Sequence, residues 1–269
     1  MVPTCFHVVF FPLPKPMPWK SSSLSNKRSK NNFSIECSVS DERQALFSRI
    51  ASSYDYLNDL LTVGQHRIWK RMTVSWSGAK RGDTVLDLCC GSGDLSFLLS
   101  QKVGSNGKVI GLDFSKEQLS MAAYKEQASY KKCFRNLEWV EGDATELPFP
   151  QCFFDAITVG YGLRNVVDRD KMMKEILRVL KPGAKASILD FNKSNNKRVS
   201  LFQEWMIDKV VVPVASRDGL AEDYEYLKNS IREYLTGKEL EQLALTSGFS
   251  FATHYELAGG LMGNLIAIR

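Results

Sequence analysis

Thr84-Val85-Leu86-Asp87-Leu88-Cys89-Cys90-Gly91-Ser92-Gly93-Asp94 is the stretch whose reading decides the fold. Its first five residues are mostly β-branched or apolar, as in a buried strand, and they run into two glycines that permit a tight turn. Leu95, Leu98 and Leu99 then take up a helical spacing that stops near Gly104. Strand, glycine turn and helix in this order place the amide donors of a helix N-terminus beside a ligand. Two features narrow that ligand. A dinucleotide fingerprint asks for a third glycine or alanine at position 96, where Ser96 stands. Carboxylates at Asp87 and Asp94 disfavour a pyrophosphate and favour a positively charged cofactor.

Outward from this turn the alternation repeats. Lys108 to Leu112, Leu137 to Val140, Phe154 to Val159 and Ala186 to Phe191 read as four further strands. Ser115 with Gln118 predicts a capping box and a helix to about Lys131. Asp168 caps a predicted helix whose Met173, Ile176, Leu177 and Leu180 form one stripe, closed by Lys181-Pro182-Gly183. Strands alternating with helices argue for parallel βαβ units covered on both faces, with the ligand at the carboxyl ends of the strands.

On the N-terminal side, Asp41 to Ser77 has helical spacing with a break near Thr62-Val63-Gly64. Beyond Phe191 a polar loop leads to an apolar run from Leu201 to Val214, then to a Tyr-rich helix near Tyr224 to Tyr234. Phe202, Trp205, Met206 and Val210 in that run read as a helix-packing stripe, the alternative being a groove for an isoprenoid tail. Thr236 with Glu239 is a second capping box, and Phe249 to Leu257 and Leu261 to Ile268 close the chain as two strands. The expected organisation is one domain over 38–269, with a helical cover at 38–80 and a helical insertion at 192–236.

The charge of the chain is unevenly placed. Of 35 basic residues, Lys15, Lys20, Lys27, Arg28 and Lys30 fall in a leader over residues 1–35, which hold no acid, leaving 30 against 30 acidic residues elsewhere. The basic balance therefore belongs to the leader and gives no reason to expect a nucleic-acid partner. Pro3, Pro12, Pro14, Pro16 and Pro18, followed by a Ser-rich stretch, cannot build a core. Residues 1–37 read as a disordered transit peptide, and four lysines to one arginine lean toward a plastid (chloroplast) rather than a mitochondrion. The six cysteines show no C-x-x-C spacing and there are three histidines, so no metal site is signalled. No apolar run approaches the roughly 18 residues of a transmembrane helix.

Several acids fall at strand ends. Asp113 ends the second strand, where a carboxylate can accept from both hydroxyls of a ribose. Asp143-Ala144 follows the third, placed to accept from an adenine amino group. Together with Asp87 they mark one edge of the sheet.

Val85 to Asp94, Asp113, Gly142-Asp143-Ala144-Thr145-Glu146-Leu147-Pro148-Phe149 and Leu180-Lys181-Pro182-Gly183 resemble the motifs of class I S-adenosylmethionine methyltransferases. Tyr54 to Asp59, Gly64 to Lys70, Gly162-Leu163-Arg164-Asn165, Tyr224 to Ile231 and Gly248-Phe249 are similar to the ubiquinone/menaquinone C-methyltransferase family within them. The match runs from about Asp41 to Arg269, and the Cys89-Cys90 pair departs from it. The resemblance implies a Rossmann-like, seven-stranded, mostly parallel sheet whose last hairpin places one antiparallel strand in it. It also implies S-adenosyl-L-methionine as methyl donor without a metal, and a prenylated quinol ring carbon as acceptor. Asp87, Gly91, Gly93, Ser96, Asp113, Phe114, Asp143, Ala144 and Gly160 form the expected cofactor set.

With the leader and Gly259 to Ile266, the resemblance leans to C-methylation of 2-phytyl-1,4-naphthoquinol in plastids. The alternative is a mitochondrial benzoquinol C-methyltransferase for ubiquinone. A nicotinamide-dependent dehydrogenase is disfavoured by Ser96 and the acidic turn. The chemistry sets its own demand: a phenol-like hydroxyl of pKa ~10 costs roughly 4 kcal/mol to ionise at pH 7. Arg164 with Asn165, after the fourth strand, supplies a cation and an amide for the oxyanion. Asp94 or His66 takes the proton or orders a water, and Tyr54 orients the quinol. The expected partners are the prenyl-naphthoquinol, an upstream quinone reductase and at most a peripheral membrane contact, with the oligomeric state open.

Overall fold

The computed structural model describes residues 64–129, 135–211, 213 and 221–269. Helix α1 (His66–Trp76) leads into β1 (Thr84–Leu88), α2 (Asp94–Val103), β2 (Lys108–Asp113), α3 (Lys116–Ala128), β3 (Leu137–Glu141) and β4 (Phe154–Gly160). A 3-10 turn (Leu163–Asn165), α4 (Arg169–Val179) and β5 (Leu180–Phe191) follow. Next come α5 (Lys197–Met206), a π-helical turn (Ile207–Val211), α6 (Ala221–Arg232), α7 (Gly237–Ser247), β6 (Phe251–Leu257) and β7 (Met262–Ile268).

The seven strands form one sheet in the order β3-β2-β1-β4-β5-β7-β6. The first five strands run parallel, and β7 pairs antiparallel with both β5 and β6. The expected single antiparallel strand is therefore β7. Strand order reverses beside β1, so β2 and β4 leave it in opposite directions and open a crevice at the carboxyl end of β1.

Two of the helix-start signals act as read. Asp168 accepts from the Lys171 amide to start α4, and Thr236 with Glu239 closes a reciprocal capping box on α7. The Ser115 side chain accepts from the Gln118 amide, but the Ser115 amide donates to Asp113, so the expected box is half formed, and α3 ends at Ala128, short of Lys131. Lys181-Pro182-Gly183 does not stop a helix. Helix α4 ends at Val179, and Leu180 already pairs with Phe154 as the start of β5, whose register with β4 then shifts before Ala156. Leu180 is fully buried in the sheet core with Phe154, Ile157 and Ile176, so burial in the strand outweighs the helical period. Phe202 and Trp205 are exposed, which overturns the reading of a packing stripe for these two, and Leu201 beside them is exposed as well; the inward face of α5 is carried by Gln203.

Helix α1 is pinned on the sheet by polar contacts as well as packing. The Thr73 hydroxyl donates to Asn264 Oδ1 at 3.1 Å, and Asn264 Nδ2 donates to Ser187 Oγ at 3.0 Å, all fully buried. Buried amides and hydroxyls need partners, so this triad fixes α1 against β5 and β7 at one register.

Candidate active site

The site forms around the turn after β1. Cys89 takes a left-handed φ of 56°, as does Tyr161 (61°) just after β4, so both strands that flank the crevice end in a sharp reversal. The reversals touch: a Cβ on Gly162 would lie 2.5 Å from Cys89 Cβ, so only glycine fits there. Gly93 is needed for a reason the turn alone does not reveal. Its φ is 90°, and an added Cβ would lie 2.7 Å from Cη2 of Trp139 on β3. Gly91 is different, because the nearest atom to its Cβ position is Gln118 Oε1 at 3.8 Å, leaving the side that a ligand can approach. Gly160 admits the Leu95 side chain, whose Cδ1 would lie 2.7 Å from an added Cβ.

Asp113, at the tip of β2, locks the turn. One carboxylate oxygen accepts from the Gly91 amide at 2.8 Å and the other from the Ser115 amide at 3.0 Å. Phe114 lies between these two anchors. A carboxylate has about four acceptor positions, so Asp113 keeps acceptor capacity beyond these amides for a ribose. Burial raises its carboxyl above the usual range, against the pull of the Ser115, Gly91 and Phe114 amides. Asp143 is exposed beside buried Ala144 and spends one oxygen on the Thr145 amide at 2.8 Å.

The electrostatic sign of the turn is reported by Cys89. Burial pushes its thiol well above the ordinary value, and Asp113, Asp87, Asp143 and Asp190 each push it further. Four carboxylates therefore act on one point. Cys90 is raised in the same way, so both cysteines are held as thiols and neither is activated as a thiolate. Asp190 is offset by Arg164 and Asp87 is raised to about 7, so Asp113 and Asp143 chiefly give the turn its acidic character, which suits a cationic ligand.

Asp87 and Ser96 stand behind the turn. Both are fully buried; Ser96 donates to Asp87 Oδ2 at 2.6 Å and Thr158 to Asp87 Oδ1 at 2.9 Å. The pair ties β1, α2 and β4 together, so Ser96 supports the turn through Asp87. Burial raises the Asp87 carboxyl from 3.8 to about 7 despite these bonds. An acid whose folded value is raised contributes stability that is complete below the unfolded value and is lost as pH rises through the folded one. Asp87→Asn is accordingly expected to flatten the decline in stability between pH 3.8 and about 7, measured by denaturant titration at stepped pH. An unchanged decline would assign it to other groups.

Asp94 opens α2 within an ion cluster. Lys70 Nζ of α1 lies 2.6 Å from its Oδ2 and Lys125 Nζ of α3 lies 3.5 Å from Oδ1; Lys125 also donates to Ser92 Oγ at 2.7 Å. Lys70 is buried, and its ammonium sits 5.9 Å from the Tyr161 ring centroid. Burial would raise Asp94, but Lys70, then Lys125 and His66, outweigh it and hold the carboxyl below the usual range. Asp94 is thus kept ionised and is a weak proton acceptor near neutrality. His66 is also buried, and its charge is one of those that act on Asp94. Tyr54 lies outside the described residues.

Arg164 and Asn165 form the opposite wall. Arg164 is buried; its backbone amide donates to Asp190 Oδ2 at 3.0 Å and its Nε to Oδ1 at 3.2 Å, while Nη1 donates to Ser230 of α6. Its guanidinium also stands 5.5 Å from the Phe191 ring centroid. Asn165 Nδ2 donates to the Tyr161 carbonyl at 2.8 Å, and its Oδ1 accepts from Tyr226 of α6 at 3.1 Å. Burial raises Asp190 even with Arg164 against it. The cation expected at Arg164 is one half of a buried ion pair, a rigid donor with N–H groups left beyond those that Asp190 and Ser230 take.

The structure brings Asp87, Gly91, Gly93, Ser96, Asp113 and Asp94 around one turn, and sets Arg164 and Asn165 on the loop that touches that turn through Gly162. Sequence reasoning missed Lys70, Lys125, Thr158, Asp190, Tyr226 and Ser230. Lys70, Tyr226 and Ser230 fall inside runs that carry the family resemblance, and Asp190 is an acid at a strand end; each signal was present without a partner to give it meaning.

Residues 36–269 match the ubiE/COQ5 methyltransferase family. A relative from Arabidopsis thaliana, "2-phytyl-1,4-beta-naphthoquinone methyltransferase, chloroplastic", is 64% identical over 244 residues, covering 91% of this chain and 93% of its own. The "2-phytyl-1,4-naphtoquinone methyltransferase" of Trichormus variabilis is 51% identical over 228 residues, covering 85% and 99%. Among solved structures, a SAM dependent methyltransferase from Aquifex aeolicus superposes with a TM-score of 0.56 at 20% identity, covering 74% of this chain and 88% of that one. A SAM-dependent methyltransferase from Methanosarcina mazei gives 0.51 at 23% identity, covering 70% and 92%. These likenesses show the class I methyltransferase fold.

Proposed function

This chain belongs to the ubiE/COQ5 methyltransferase family, and from that premise we propose that it methylates a ring carbon of 2-phytyl-1,4-naphthoquinol in plastids. The methyl-transfer class follows from the family and the fold. The observation that carries the finer reading is the shared substrate name of the Arabidopsis and cyanobacterial relatives, and the chloroplastic name of the former supports the plastid. The basic leader agrees with that location. These features favour the naphthoquinol over the mitochondrial benzoquinol.

The residues fit S-adenosylmethionine. Asp113 has acceptor capacity left for ribose hydroxyls, Gly91 is open to close approach, and the acidic character of the turn suits a sulfonium cation. Asp143 with Ala144 would meet the adenine. When bound, the methyl donor supplies an electrophilic methyl group on positively charged sulfur. The remaining tasks belong to the chain itself. Asp94, held ionised by Lys70 and Lys125, offers a fixed negative charge at the mouth of the turn. Arg164, fixed by Asp190 and Ser230, donates to the quinol oxygen as negative charge develops, with the Asn165 amide beside it. His66 takes the hydroxyl proton directly or through water; once the ring carbon holds the methyl group its hydrogen leaves as a proton and one proton returns to the oxygen, so the methylated quinol and one net proton result. Tyr226 and Ser230 bring α6 over Arg164 and Asn165, which limits water at the oxyanion. The reduced substrate implies a quinone reductase acting before this step.

The test is methyl transfer by the full chain to the reduced and oxidised forms of 2-phytyl-1,4-naphthoquinone and of a prenyl-benzoquinone. Turnover on the naphthoquinol at least about tenfold above the benzoquinol, and none on either oxidised quinone, is expected, because only the hydroquinone ring is electron-rich. Equal rates on the two quinols would remove the naphthoquinol assignment.

A further inference from the structure

We propose that α5 is a docking surface for an anionic lipid membrane. Leu201, Phe202 and Trp205 are 56%, 48% and 55% exposed, so three large apolar side chains face outward within little more than one turn. The Phe202 and Trp205 rings stack at 6.1 Å between centroids and form one platform. At 100° per residue, Lys197 and Arg198 fall at the N-terminal end of the same face, and both are exposed. Gln203 and Ile207 lie on the opposite, buried side.

Charge selects the occupant. The acids of this segment are paired with bases of α6: Glu204 with Arg232 at 2.9 Å, and Asp208 with Lys228 at 2.6 Å. Lys197, Arg198 and Lys209 have no ion-pair partner among the described residues, while the charge of Lys193 acts on Glu239 at the start of α7. The outward face is thus aromatic at its centre and cationic at both ends, with its carboxylates paired to α6. A Trp–Phe platform inserts at the boundary between headgroups and acyl chains while lysine and arginine meet anionic headgroups. A second copy of the chain would meet the same uncompensated positive charge on this face. Among the described residues no helix is long and apolar enough to cross a membrane, so the contact is peripheral.

The dock also lies in line with the site. Helix α5 and the π-helical turn are tied by the Glu204–Arg232 and Asp208–Lys228 pairs to α6, whose Tyr226 and Ser230 hold Asn165 and Arg164. Seating α5 on a bilayer would place that wall near the depth from which a prenyl chain emerges. This purpose rests on the prenyl-quinol reading; the dock itself does not, and its test contains no quinol.

The experiment is flotation of the full chain with vesicles of phosphatidylcholine alone and of phosphatidylcholine with about one third phosphatidylglycerol, at low and high salt. Phe202→Ser/Trp205→Ser is compared with the unaltered chain, both carrying the same basic leader. Binding only to the anionic vesicles, weakened by salt and reduced roughly 10- to 100-fold in partition by the double substitution, is expected. Unchanged melting temperature and calorimetric affinity for S-adenosylmethionine in the variant show that the loss is not unfolding. Equal flotation of variant and unaltered chain would overturn the proposal. So would equal binding to both vesicle types, or a concentration-dependent dimer abolished by the substitution without vesicle binding.

Discussion

Asp113→Ala is expected to weaken binding of S-adenosylmethionine by roughly 10²- to 10⁴-fold. Two hydrogen bonds from ribose hydroxyls to a carboxylate contribute about 1.5–3 kcal/mol each, hence about 3–6 kcal/mol together. The turn would loosen as well, because the Gly91 and Ser115 amides, at 2.8 and 3.0 Å from the carboxylate, lose their acceptor. Global stability should change less than affinity: burial already raises this carboxyl, so removing it also removes a desolvated charge. Asp113→Asn, which keeps one acceptor oxygen, should fall between the two. Calorimetric titration measures all three proteins, and an alanine variant that binds within threefold of the unaltered chain would remove Asp113 from the ribose site.

For Arg164→Ala the expected loss is double. Asp190 is buried and would be left without its counter-ion, which costs about 3–5 kcal/mol of stability and a large fall in melting temperature. Turnover should drop about 10²- to 10³-fold, the usual effect of removing one donor to a developing oxyanion. The two losses separate in Arg164→Ala/Asp190→Asn, where no uncompensated charge remains. That double variant should recover most of the stability and methyl-donor affinity and still turn over at the reduced rate. Recovery of turnover along with stability would make Arg164 a structural residue only.

These two residues also mark how far the sequence could be read. Asp113 was legible because its role depends on local order: a strand end, a helix start, and a glycine turn beside them. Arg164 was legible as a candidate from Gly162-Leu163-Arg164-Asn165, yet its ion pair was not. Asp190 lies 26 residues away on β5, and that contact exists because β4 and β5 pair in register from Ala156 with Lys185 to Gly160 with Leu189. Lys70 and Asp94, 24 residues apart, meet for the same kind of reason, once α1 is laid over α2. Where sequence reading failed outright, burial had changed the outcome. Lys181-Pro182-Gly183 has the composition of a helix stop, but Leu180 before it is recruited into the sheet core. Phe202 and Trp205 have the spacing of a packing stripe, but the face they share looks outward.

The sequence by itself determined the alternation of strands and helices, their caps, the acidic glycine turn and the sign of charge it favours, since each depends on neighbours within a few residues. Tertiary structure decided which carboxylates stay ionised, which arginine is paired, why Gly93 must be glycine, and which apolar residues remain in water. Those outcomes depend on desolvation and on contacts between distant segments, and both come into being only when the sheet closes around Trp139, Asp190 and Lys70.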